Sequence, residues 1–216
     1  MTESTRPPAK RRGLDREQIT NAAVELLDEV GLAALSTRRL AAKLGVQSPT
    51  LYWHVRNKTE LMDLVAEAIC ADAFQIDESQ PWRDQLASGL RQFRALLLTH
   101  RDAATLLRER PPVGPRRLEQ IDTTVRILLR AGFSEDEAAG ISRVLSAHVL
   151  ASVEDYPPRP TDDSGGGPPS AMLDALADFE SLRRVGPSFA RLDGAEVFEL
   201  GIQILLDGLS RRRSTS

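Results

Sequence analysis

The sequence predicts an all-α protein in two parts, an N-terminal three-helix bundle that contains a helix-turn-helix and a larger helical domain after it. Three observations predict this. Aromatic residues make up 5% of a chain that is 41% hydrophobic, so Ala and Leu, which favour helices, carry most of the apolar content. Apolar positions recur three and four apart along most of the chain, with Ser, Asp, Asn, Pro and Gly where such segments begin and end. Two short apolar stripes, about three residues apart, share one acid-free stretch between Ser36 and Lys58.

The first helix begins at Asp15, whose side chain caps while Gln18 can return the bond, and ends at Val30 before Gly31. Ile19, Ala22, Ala23, Leu26, Leu27 and Val30 form its buried stripe. A short second helix, opened by Ser36 or Thr37, buries Leu40, Ala41 and Leu44 and stops at Gly45, where a left-handed residue is needed. Ser48 then caps a third helix with Pro49 at its first position, and Leu51 and Val55 face inward. A fourth runs from about Asn57 to Phe74 and leaves through IDESQP.

Trp82 to Thr99 is amphipathic, with Leu86, Leu90, Phe93 and Leu97 on one face. His100, Arg101 and Asp102 make a corner, a short helix covers Ala103 to Arg108, and PPVGP breaks it. Helices follow over Arg116 to Arg130 and Ser134 to Asp155, the latter opened by a Ser134/Glu137 capping box. Residues 156–169, YPPRPTDDSGGGPP, hold five prolines and three glycines and are expected to form a mobile loop. Helices over Ala171 to Arg184 and Ala195 to Ser210 precede a basic tail.

The stretch from Ser36 to Lys58 carries Arg38, Arg39, Lys43, Arg56 and Lys58 and no acid. Ser48, Thr50, Tyr52, Trp53 and His54 are left outward or oblique on the third helix. They are hydroxyls, aromatics and an imidazole, suited to base edges, thymine methyls and phosphates in a major groove about 12 Å wide. A basic run alone is usually a solvated face, but two exposed aromatics beside five uncompensated cations point to DNA. The net charge is only −3, from 28 basic and 31 acidic residues, so DNA affinity has to come from such a local patch. Arg6, Lys10, Arg11 and Arg12 form a basic flexible tail that either follows a phosphate backbone or only solubilises.

Leu14 to Ile69 resembles the three-helix DNA-binding domain of the TetR family together with its linking fourth helix. LSTRRLA, KLGV, PTLYWHV and NK-x-EL fall in order without gaps, and PTLYWHV is most like the tetracycline repressor subgroup. The resemblance implies a cytoplasmic, homodimeric, ligand-responsive repressor that binds a palindromic double-stranded DNA operator. It gives Thr37 a phosphate, Arg38 a base, Ser48, Pro49, Thr50, Tyr52, Trp53 and His54 the recognition surface, and Lys58 a phosphate at the start of the fourth helix. The tetracycline repressor carries Gln where this chain has Ser48. The shorter side chain cannot make a two-pronged adenine contact, so the operator is expected to differ.

HRD at His100, GFS at Gly132 and ED at Glu154 continue the resemblance into the second part. Phe74, Gly89 and Leu107 stand where the tetracycline repressors place drug-contacting and magnesium-binding side chains, while Phe93 and Glu154 are retained. Loss of the imidazole at Leu107 removes the metal ligand, so no metal or other cofactor is expected. The expected effector is a small, largely apolar molecule in a pocket lined by Phe74, Phe93, Leu107, Thr124, Leu128 and His148, with His100 and Glu154 as further contacts. His100 and His148 each have an alternative, as satisfied corner or core histidines.

The last helix is apolar over more than half its circumference, through Val197, Phe198, Leu200, Ile202, Ile204, Leu205, Leu206 and Leu209. The helix from Ser134 is nearly as apolar, and Gly201 and Gly208 permit close helix approach. A partner copy meeting helices 134–155 and 195–210 would cover both, in a homodimer that reads two half-sites; a central place in a monomeric bundle is the other option. The expected parts are therefore a tail over 1–13, a DNA-binding domain over 14–60, and a ligand-binding and dimerisation domain over 61–216.

An enzyme is not expected. The three histidines, at 54, 100 and 148, lie far apart, and no glycine-rich phosphate loop opens a helix. An activating or ligand-independent regulator would carry the same DNA-reading residues. The single cysteine, Cys70, lies in an apolar helix and reads as a small buried hydrophobe in a reducing cytoplasm. No apolar run is long enough to span a membrane.

Overall fold

The computed structural model describes residues 14–72, 75–153 and 179–215, and all regular structure in them is helical. The N-terminal basic tail, the ligand candidates Phe74 and Glu154, the segment 156–169 and the start of the helix expected from Ala171 lie outside the described residues.

Helix α1 spans Arg16–Ala34, and its capping box is complete: Asp15 Oδ1 accepts from the Gln18 amide at 2.7 Å while Gln18 Oε1 accepts from the Asp15 amide. The backbone leaves helical geometry at Gly31, the break expected after Val30, before a last turn reaches Ala34. Helix α2, Thr37–Lys43, is opened by Ser36 and closed at Gly45 in the left-handed region, where the Val46 amide donates to the Ala41 carbonyl at 3.0 Å. Helix α3, Ser48–Tyr52, begins one residue earlier than expected. Gln47 occupies the cap without a side-chain bond, and Ser48 and Pro49 are the first helical residues, where proline has no intrahelical N–H bond to lose. Helix α4, Lys58–Ile69, is capped by Asn57 and gives way to a 3-10 turn over Cys70–Asp72, short of the expected Phe74. The Gln120 side chain takes the Cys70 carbonyl at 3.3 Å and so competes with any further turn.

The second part holds α5 (Trp82–Thr99), α6 (Ala103–Glu109), α7 (Pro115–Arg130), α8 (Glu135–Ser152), α9 (Glu180–Arg191) and α10 (Gly194–Thr215). Ser134 and Glu137 cap α8 reciprocally, as expected. Helix α9 continues past the expected Arg184. Helix α10 runs on through the basic residues expected as a tail. Arg212 reaches Glu137 at 3.2 Å and Arg213 lies 5.9 Å from the Trp82 ring centre, contacts that hold the extra turn down.

One buried apolar cluster runs through both parts. Helix α1 packs on α2 and α4, α4 packs on α6 and α7, α5, α7 and α8 pack on one another, and α10 covers α8 and α5. Leu61, Val65, Ala66 and Ile69 of α4 are fully buried between the two groups, the larger ones each contributing about 1.5–3 kcal/mol of burial. A Cβ at Gly201 would run into the His148 imidazole, so this glycine lets α10 approach α8 within one chain.

Candidate functional site

The candidate DNA-reading surface is built on two buried anchors. Leu51 and Val55 are 1% and 2% exposed and pin α3 against the bundle, which turns the intervening residues outward. Trp53 is 88% exposed and Tyr52 51%. Pro49, Thr50, His54 and Lys58 are exposed as well, Ser48 is half-buried, Arg38 is exposed at the start of α2, and Thr37 is half-buried beside it. Seven of the nine candidates lie in α2, α3 and the first residue of α4, and Trp53 and His54, expected on the third helix, fall in the turn that follows α3.

One expectation is corrected. Lys43 is not an uncompensated cation: its ammonium pairs with Glu29 at 2.7 Å and Glu25 at 3.1 Å on α1. The hydrogen bonds to Glu29 and then Glu25 raise its pKa, and the lysine ties α2 to α1. The cations of the stretch without an ion pair among the described residues are Arg38, Arg39, Arg56 and Lys58, all exposed.

The two parts are strapped together at two places. At the first, the His100–Asp102 corner grips the end of α1. Asp28 accepts from the Arg101 amide at 2.9 Å and lies 3.0 Å from His100 Nδ1, and Asp102 accepts from the Leu32 amide at 2.8 Å. At the second, Arg110, just past α6, makes a forked ion pair with Asp63 of α4 at 2.7 and 3.1 Å. Glu67 of α4 accepts from the backbone amides of Arg116 and Arg117 at the start of α7. Both straps include backbone amides held by carboxylates, and the second adds the Arg110–Asp63 fork.

Above the second strap, among α5, α6, α7 and α8, lies a cavity of about 400 Å³. Of the candidate ligand contacts, Phe93, Leu107 and Thr124 line it. His100, Leu128 and His148 do not. Leu128 is fully buried in the core, His100 is spent on Asp28, and His148 stacks on Phe198 at 5.4 Å while its Nε2 lies 3.1 Å from the Phe198 carbonyl oxygen. The wall also includes Gly89, Cys70, Arg117, Gln120, Ser142 and Arg143, of which only Gly89 was marked by the resemblance. Extending the period of Thr124 back along α7 by four and by seven residues reaches Gln120 and Arg117, a signal present in the sequence. Burial pushes the Cys70 thiol up to about 11, so it stands neutral on the wall.

Helices α8 and α10 present apolar side chains away from the core. Val144, Val197, Leu200 and Ile204 are all more than half exposed. Among the described residues no helix is long and apolar enough to cross a membrane.

A helix-turn-helix with outward aromatics and cations, strapped to a helical domain that holds a partly open, largely apolar cavity, defines a DNA-binding regulator with a separate receptor domain. Residues 19–65 match the family of bacterial regulatory proteins, tetR family, and residues 77–213 match the tetracyclin repressor-like C-terminal domain. The chain belongs to the TetR family of transcription regulators and is not an enzyme. It is 35% identical over 207 residues to tetracycline repressor protein class A from transposon 1721 of Escherichia coli, covering 93% of this chain and 92% of that one. It is similar to the crystal structure of Streptomyces coelicolor ActR in complex with (S)-DNPA, with TM-score 0.81 and 31% identity over 92% of this chain and 98% of that one. It is also similar to BioQ bound to its natural double-stranded DNA operator, with TM-score 0.65 and 28% identity over 92% and 99% of the two chains.

Proposed function

We propose that this chain represses transcription as a homodimer that grips a palindromic operator through paired α2–α3 units and releases it when a small, largely apolar molecule fills the core cavity. The observation that carries this is the continuity from cavity to DNA surface: α6 lines the cavity through Leu107, Arg110 ties its end to Asp63 of α4, and α4 begins at Lys58 beside α3. A ligand can act along this path only by binding one arrangement of the dimer more tightly than the other.

Arg38 and the surface from Ser48 to His54 then read sequence, while Thr37 and Lys58 fix register on phosphates. Residues 14–60 form the reading unit and 61–216 the receptor and dimerisation unit, acting in the cytoplasm. Exposed Val144, Val197, Leu200 and Ile204 are the surface that a second copy covers. Phe93, Leu107 and Thr124 are the effector contacts among the original candidates. The operator complex of BioQ and the small-molecule complex of ActR support both halves of the reading.

Selection of bound sequences from random duplex DNA tests it. The enriched motif should be two-fold symmetric with half-sites about one helical turn, roughly 34 Å, apart. An asymmetric motif, or no enrichment, overturns the proposal.

A further inference from the structure

The described residues that line the cavity include two arginines, Arg117 and Arg143, and no aspartate or glutamate. Arg143 makes no hydrogen bond or ion pair among the described residues. Arg117 is half-buried, and its nearest carboxylates are committed elsewhere: Asp63 is held by Arg110, and Glu67 by the backbone of α7. Burial lowers the Arg117 pKa, the mark of a cation held without a full counter-charge.

Its donors can be counted. Nη1 donates to the carbonyls of Arg110 and Pro111 at 2.9 and 3.2 Å, and Nη2 donates to the carbonyl of Leu107 at 2.9 Å. A guanidinium has five N–H groups, so Nε–H and one Nη2–H remain unspent. These two nitrogens bound the edge that takes an oxyanion with two parallel bonds. Capping of α6 accounts for three donors and leaves this pair unexplained.

We propose that the effector is an amphiphilic acid, an apolar body within the cavity carrying one oxyanion group that pairs with the free edge of Arg117, with Arg143 as the second attracting charge. This rests on the cavity being the effector site. It also assigns the trigger. Arg117 holds the carbonyls that end α6, in the same segment whose Arg110 grips Asp63 of α4, so an oxyanion drawing on that guanidinium pulls at the joint between receptor and reading unit.

The test is fluorescence titration of the full-length protein with 8-anilinonaphthalene-1-sulfonate and N-phenyl-1-naphthylamine, which share an aromatic body and differ in the sulfonate. The sulfonate should bind about tenfold more tightly than the neutral probe. Arg117→Met should weaken the sulfonate about tenfold and leave the neutral probe within about twofold, with Arg117→Lys in between because it keeps charge without the fork. Arg143→Gln, at an exposed position that does not endanger folding, should weaken only the sulfonate, by a smaller factor. Gly89→Leu, which fills the cavity, should weaken both probes.

If the neutral probe binds the wild-type protein as tightly as the sulfonate, or Arg117→Met weakens both alike, the acid inference is overturned while the cavity remains the effector site. If Gly89→Leu changes neither probe, the cavity reading itself falls.

Discussion

Trp53, in the turn just past α3, leaves 88% of its surface in water, so its indole adds nothing to the core and is free to touch whatever α3 meets. Trp53→Ala should keep the melting temperature within about 2 °C and weaken binding to the selected operator about tenfold, read by a thermal scan and by DNA anisotropy. The contacts proposed for Arg38 and Lys58 differ in kind. Arg38→Ala should relax preference at one operator position at a cost of about 1–3 kcal/mol, whereas Lys58→Ala should weaken all sequences alike and flatten the salt dependence. Equal losses on specific and random DNA for both variants would refute the assignment. The outward residues of α3 were legible because two inward anchors, Leu51 and Val55, determine the rest by periodicity. The pairing of Lys43 was not legible, because Glu25 and Glu29 reach it from a separate helix.

Helix starts were the most readable features, since a cap is a bond between neighbours in sequence. The Asp15/Gln18 and Ser134/Glu137 boxes both form. Helix ends depended on distant groups: Gln120 reaches the Cys70 carbonyl where α4 gives way, and Glu137 helps hold α10 beyond Ser210 through Arg212. Glu137 therefore serves two helices. Its pKa is lowered from 4.5, first by the Ser134 amide and then by the Arg212 bond, and Glu78 beside Arg130 and Glu199 beside Arg91 shift the same way. A carboxylate with a depressed folded pKa lends its stability in full above the unfolded value and loses it as pH falls through the folded one. Thermal midpoints should accordingly change little between about pH 7 and 5.5 and fall below about pH 4.5. Glu137→Gln should make the acid-side fall shallower, and a curve identical to wild type would deny the cap its role. Gly31, at φ 75 with Asp102 Oδ2 only 2.8 Å from where a Cβ would sit, marks the other join between helices. Gly31→Ala should lower stability by about 1–2 kcal/mol in urea unfolding.

The two-part architecture could be read from composition and punctuation, but the cavity could not. Its wall draws on residues from Cys70 to Leu150, brought together only by packing; it includes Phe93, Leu107 and Thr124, whereas His100 is paired with Asp28 and His148 packs on Phe198 away from it. Dimerisation is tested at Ile204, which is 62% exposed, rather than at half-buried Leu205. Ile204→Arg should shift elution on a sizing column to the monomer while leaving the far-ultraviolet spectrum unchanged, and an intact dimer would refute the proposed interface.

The shortness of α3 bears on how a gene is found. Its five residues span about 7.5 Å of helix axis against about 3.4 Å per base step, so even with flanking Arg38 and His54 one copy inspects about four base pairs. A word of that length has about 250 spellings and recurs on the order of 10⁴ times in a genome of a few million base pairs. One recognition helix holds too little information to single out a promoter. Two copies at a set distance multiply the spellings to about 6 × 10⁴, and any molecule that alters that distance erases the address without touching a single base contact.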